Sequence, residues 1–133
     1  MALYVTDTHP LVWYLEGRHQ KLSKRALRIF EDATRGRSVV YIPAIVLLEM
    51  TYLVRLGRTS WREPFEDWAM ALFKQPGFEL APLEVGIVAA AGRLILQRDP
   101  FDLAIVATAR VKNLPLITKD QDIVESGLVQ VVW

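Results

Sequence analysis

Short, unbroken apolar runs alternate along the chain with longer stretches whose apolar residues recur at helical spacing. Leu3-Tyr4-Val5-Thr6 and Val39-Val40-Tyr41-Ile42 read as strands buried on both faces, and Leu114 to Thr118 as a third. Phe78–Ala81 and Val129–Trp133 complete a set of five. Between them, Pro10 suits the first turn of a helix stopped by Gly17, and Ser23 is placed to cap a helix carrying Ala26, Leu27, Ile29, Phe30 and Ala33 to Gly36. Pro43 opens a helix ending at Gly57. Trp61 to Lys74 forms an amphipathic pattern, Leu83 to Gln97 an Ala-rich one, and Asp99-Pro100 opens a helix to about Lys112. A short helix is expected from Asp120 to Ser126. Strands separated by helices throughout predict an α/β domain with a mainly parallel sheet, in which ligands bind beyond the carboxyl ends of the strands.

That expectation gives the acids meaning. Asp7 follows the first strand directly, and Asp120 follows Ile117-Thr118 with only Lys119 between, so both belong at the carboxyl edge. Each also suits a helix N-cap. Glu49 has Ile45, Val46, Tyr52 and Leu53 as its helical neighbours, an apolar setting that is costly for a carboxylate without an ion pair or a bound cation. Asp99, Pro100 and Asp102 match the N-cap, N1 and N3 positions of a capping box with Asp in place of Glu. Asp102 also has Ile105, Val106 and Ala109 along its face, which places it on the buried side of its helix. Acids gathered at one edge repel unless a cation neutralises them, and an oxygen-only set suits Mg²⁺ or Mn²⁺ rather than zinc.

Composition narrows the class. The chain has 133 residues, no cysteine, two histidines, 52% hydrophobic residues and a net charge of +1. Thiol catalysis, Cys-ligated zinc and disulfide scaffolds are excluded, as is disorder, and the length suits a single domain spanning 1–133. No secretory signal or membrane span is evident, so a cytoplasmic protein is expected. The small net charge hides an asymmetry: residues 18–62 carry +7, residues 63–133 carry −4 and residues 1–17 carry −2. Within the basic segment, Arg55, Arg58 and Arg62 lie just beyond the helix carrying Glu49 and read as solvated surface. Trp13 and Trp61 read as core or interface positions. His9 reads as a helix-start residue.

In combination these residues resemble a known family. Val5-Thr6-Asp7-Thr8-His9, then Glu49, then Arg98-Asp99-Pro100-Phe101-Asp102 before Ala104-Ile105-Val106-Ala107, then Leu116-Ile117-Thr118-Lys119-Asp120 are similar to the PIN-domain family, and within it to VapC-type toxins. The closing Val131-Val132-Trp133 resembles the ending of one branch of that group. The resemblance implies a three-layer α/β/α fold. It implies a divalent-metal-dependent endoribonuclease holding one or two Mg²⁺ or Mn²⁺ ions at Asp7, Glu49, Asp102 and Asp120. Thr118 matches a hydroxyl residue accompanying the last Asp, and Asp99 and Asp122 match accessory acids of some relatives. It further implies an RNA substrate, a small antitoxin partner and a homodimer. For such a substrate, Arg55, Arg58 and Arg62 are candidates to hold phosphates, and Trp13 and Trp61 are candidates for base stacking. Gln97, Leu103 and Ala44 stand where many relatives carry His, Arg and Ser, and none of these departures removes a core acid. Three alternatives compete: a PIN-type nuclease of RNA processing, a non-catalytic interaction module, and a receiver-like signalling domain. The last would need an Asp where Val39–Ile42 leads instead to Pro43.

Overall fold

A computed structural model describes residues 1–133. Five strands, β1 (Ala2–Thr6), β2 (Ser38–Pro43), β3 (Phe78–Ala81), β4 (Leu116–Ile117) and β5 (Val131–Val132), form one sheet in the order β3-β2-β1-β4-β5. Every pairing is parallel, with Val5 opposite both Tyr41 and Leu116 at the centre. Seven helices flank it: α1 (Thr8–Leu15), α2 (Lys24–Thr34), α3 (Ala44–Arg55), α4 (Phe65–Phe73), α5 (Val85–Arg93), α6 (Pro100–Lys112) and α7 (Gln121–Ser126). The result is a three-layer α/β/α domain. Because parallel strands are covered on both faces, Val5, Val40, Ile42, Leu116 and Ile117 are all fully buried.

Local chemistry explains the element ends. Ser23 Oγ accepts from the Ala26 N–H at 3.0 Å, capping α2. The chain leaves α6 through Asn113, which adopts a left-handed φ of 55°. Gly77 is required where β3 begins, because a Cβ there would run into the carbonyl oxygens of Ala33 and Ser38.

Two helices are shorter than the pattern predicts. The segment from Trp61 begins its helix only at Phe65, because Pro64 disfavours a helical Glu63 and makes the natural start. Trp61 instead lies over Trp68, ring centroids 4.8 Å apart and nearly parallel, so its face is taken by an internal stack rather than open for a base. The Leu83–Gln97 helix spans only Val85–Arg93, after which Leu94 turns to extended backbone. Leu94 and Leu96 pack on the core while Ile95 is 95% exposed, the two-residue alternation of an extended segment. At its end the segment delivers Arg98 to the sheet edge.

The chain reverses its direction of travel across the sheet between β1 and β4. From β1 it moves outward to β2 and then β3; it then crosses to β4 and moves outward the other way to β5. The crevice beyond the carboxyl ends of β1 and β4 is the topological switch point, where open α/β sheets bind ligands.

Candidate functional site

Two of the predicted acids, Asp7 and Asp120, line that crevice, and Glu49 and Asp102 stand within electrostatic reach of Asp7. Asp7 ends β1 and caps α1, its Oδ1 accepting from the Thr8 N–H at 2.8 Å. Its Oδ2 accepts from Thr118 Oγ1 at 2.7 Å, a bond between the ends of β1 and β4. The same Thr118 oxygen accepts from the Asp120 N–H at 3.1 Å, so one buried hydroxyl orients both acids. Asp120 caps α7 through the N–H groups of Asp122 and Ile123. Asp7 and Asp120 therefore both act as helix caps at the carboxyl edge of the sheet, and the bond that starts each helix also orients its carboxylate.

Glu49 arrives from α3, whose inner side is anchored by Val46, Met50 and Leu53. It makes no ion pair; its Oε1 accepts from Thr8 Oγ1 at 2.5 Å, which ties it to the residue following Asp7. Stacking of Tyr52 on Phe101, with centroids 6.1 Å apart, packs α3 against the start of α6 and brings Glu49 towards Asp102. Asp99 is confirmed as the N-cap of α6, accepting from the Asp102 N–H at 2.9 Å. The Asp102 side chain is thereby left to pair with Arg98 rather than to cap the helix.

Arg98 is the residue that sequence patterning passes over. Its Nε and Nη2 lie 2.9 and 2.8 Å from Asp102 Oδ2, and it grips both oxygens of Asp120 at 3.1 and 2.6 Å. Asp122 Oδ2 accepts a further bond at 3.0 Å. Burial opposes its charge, but Asp102 and Asp120 outweigh that and hold the guanidinium above its ordinary range, so it is permanently cationic. The spacing of Arg98 and Asp102 looks like a helix pair, but Arg98 lies before the helix cap, which is why its link to Asp120 is not legible from periodicity.

The electrostatics are those of crowded carboxylates. Burial raises the Asp7 carboxyl above its usual range, opposed by the bonds from Thr118 and Thr8, with Asp120 adding to the rise. Burial likewise raises Glu49, with Asp102 and Asp7 contributing repulsion, and raises Asp102, with Asp7 and Asp99 contributing. Such a set fits a hard divalent cation by donor chemistry, being oxygen-only, acidic and mutually repelling. As arranged, no three acids stand close enough to share one ion, and Asp102 and Asp120 are both paired with Arg98.

The other candidates are peripheral. Asp122 is exposed at the edge of the crevice, its carboxylate paired with Arg98 and its N–H donating to Asp120 Oδ1. Arg55, Arg58 and Arg62 are exposed and none lines the acid crevice; Arg58 lines a separate cleft with Glu16 and Arg18. Thr8 was missed, although its place directly after Asp7 was the available signal.

An all-parallel α/β/α sheet with acids gathered at its switch point defines a small class of domains. Over residues 4–127 the sequence matches the PIN domain, and the chain belongs to that family. No curated protein matches it. Among solved structures, it is similar to VapBC2 from Rickettsia felis bound to a DNA fragment from its promoter, with a TM-score of 0.71 and 16% identity over 98% of this chain and 97% of that one. A toxin–antitoxin complex from Klebsiella pneumoniae gives a TM-score of 0.66 at 23% identity, covering 100% of this chain and 97% of the other. DNA-bound VapBC from Salmonella typhimurium gives 0.66 at 16% identity, over 99% and 98%. These likenesses establish the fold.

Proposed function

We propose that this chain is a divalent-metal-dependent endoribonuclease acting as the toxin of a type II toxin–antitoxin pair in the cytoplasm. The reading is supported by the mutual repulsion that links Asp7 with Asp120, Glu49 and Asp102 near the switch point, with the carboxyls of Asp7, Glu49 and Asp102 raised by burial and by neighbouring acids. These four would hold one or two Mg²⁺ or Mn²⁺ ions, with Asp99, Thr118 and Asp122 as accessories. When bound, the cation neutralises charge on the phosphodiester and makes water a stronger nucleophile at neutral pH.

The chain's own contribution is orientation. Thr118 and the Thr8 N–H fix both oxygens of Asp7, Thr8 Oγ1 fixes Glu49, and the Asp99 cap fixes the backbone from which Asp102 projects. Preorganised carboxylates need no rearrangement as charge develops, the economy on which electrostatic catalysis depends. No side-chain nucleophile is required.

The toxin role draws on structural neighbours that are toxin–antitoxin complexes. An antitoxin partner and a homodimer suit the exposed apolar surface, which includes a cleft lined by Ile45, Leu83, Val88 and Leu103 and the projecting Val85 and Ile95. Induced expression in a bacterial host tests the reading: growth should arrest, with cleaved RNA ends accumulating, and co-expression of the small protein encoded beside it should restore growth. Unimpaired growth at high expression, with intact RNA, contradicts it.

A further inference from the structure

The crevice that holds the acids has a second wall of different chemistry. Its volume is about 390 Å³, and beside Asp7, Arg98, Thr118 and Asp120 it is lined by His9, Trp13 and Lys119. That size falls within the range of small-molecule sites. Trp13 is the one large aromatic there, half-buried, with one part packed on the core. Its exposed part is bordered by cations. Lys119 Nζ lies 4.9 Å and Lys21 Nζ 5.5 Å from the indole centroid, and Lys119 also reaches 5.9 Å from the Trp133 ring. The His9 ring is tilted against the indole at 5.9 Å, and Trp133 meets it edge-on at 6.3 Å. Four chain segments thus hold one indole among exposed positive groups, on the open side of the acid cluster.

We propose that Trp13, Lys119 and Lys21 form a subsite for one unpaired nucleotide next to the cleavage position, the base stacked on the indole and its phosphates on the two ammonium groups. An ordinary core tryptophan would be enclosed by apolar side chains. An ordinary surface lysine would not share an aromatic face with a second one. An aromatic platform flanked by cations is the arrangement that binds single strands, since every base has a stacking face and every phosphate a charge. Both lysines ride on flexible four-carbon stems, so an arriving base takes the indole face while the ammonium groups move to phosphate oxygens. Trp13 and Lys119 also flank Asp7 and Asp120 in the same crevice, which puts the stacked nucleotide adjacent to the phosphate at the acids. The ligand class rests on the nuclease reading; the platform itself does not.

The full-length protein is tested in EDTA, where cleavage is silent, by fluorescence anisotropy with a labelled five-nucleotide single-stranded RNA. Replacing the central nucleotide by an abasic one keeps every phosphate and should weaken binding about fivefold or more. Trp13→Leu should weaken binding of the intact strand by a similar factor and make it indifferent to the abasic change, while Trp13→Phe retains most of the affinity. Lys119→Ala should lower the slope of log affinity against log salt by about 0.7. Equal affinity for intact and abasic strands overturns the subsite and needs no variant that has to fold. Competition by an oligoglutamate peptide as effective as that by RNA also overturns it, marking the wall as a site for an acidic protein segment. If wild type binds with stacking but does not cut RNA when Mn²⁺ is supplied, the nuclease reading fails while the subsite stands. If it cuts RNA but ignores the abasic change, the subsite fails alone.

Discussion

Thr118 is the hinge of the site at the scale of single residues. Its buried hydroxyl donates to Asp7 and accepts from the Asp120 N–H, so the ends of β1 and β4 share one orienting oxygen. Thr118→Val should leave a buried carboxylate oxygen and a backbone N–H without partners, costing about 1–3 kcal/mol in denaturant unfolding, whereas Thr118→Ser should cost much less. Asp7 makes the opposite prediction. Its carboxyl is raised above 3.8 by burial, so the folded state holds a proton that the unfolded state has already released. The metal-free protein therefore loses stability as pH rises from 3.8 through the raised value. Asp7→Asn should be at least as stable as wild type at pH 7 in EDTA, with a weaker pH response in that window, measured by thermal unfolding. A marked loss of stability at pH 7 would show that the ionised carboxylate supports the fold rather than taxing it.

Element by element, the five strands and most helices were readable because local signals agreed: apolar runs for buried strands, Ser23 and Asp99 as caps, glycines past the helix ends. Asp7, Asp99 and Asp120 were each readable as caps and as site acids; the structure makes all three caps, and only Asp7 and Asp120 line the crevice. Glu49 was singled out by its apolar neighbours alone. The extended segment from Leu94 was not legible, since Leu94-Ile95-Leu96 is apolar throughout and continues a helical run; only packing decides that Ile95 faces out. With that segment went Arg98, whose place among three carboxylates depends on a backbone that is not helical. Arg98→Met should destabilise the protein in EDTA by about 1–3 kcal/mol, because Asp102 and Asp120 lose their counter-charge in a partly buried setting. Saturating Mn²⁺ should recover most of that loss and raise the melting temperature of the variant more than that of wild type. An equal rise in both would mean that Arg98 and the cation do not serve the same carboxylates.

Across the whole molecule, the near-zero net charge resolves into separate features. Setting aside Asp7, Glu49, Asp102 and Asp120 leaves 16 basic residues against 11 acidic ones. Asp7 and Asp120 line one crevice at the switch point of a PIN-domain sheet, and Glu49 and Asp102 interact electrostatically with Asp7 from beside it. The arginines beyond α3 lie outside that crevice, and the cations nearest to it are Arg98 and Lys119. The charge of the crevice is thus set by where the chain brings Arg98, Lys119, Asp7 and Asp120 together, which no segment-wise total expresses.

The central claim is that this acid cluster cuts RNA with a divalent cation. The initial rate of cleavage of a fluorogenic single-stranded RNA, measured for wild type and Asp102→Asn side by side at fixed Mn²⁺, tests it most directly. Wild type should cleave, EDTA should abolish the signal, and Asp102→Asn should fall by about a hundredfold or more, since several kcal/mol of charge stabilisation are removed. Equal rates for the two proteins, or cleavage that persists in EDTA, would contradict it.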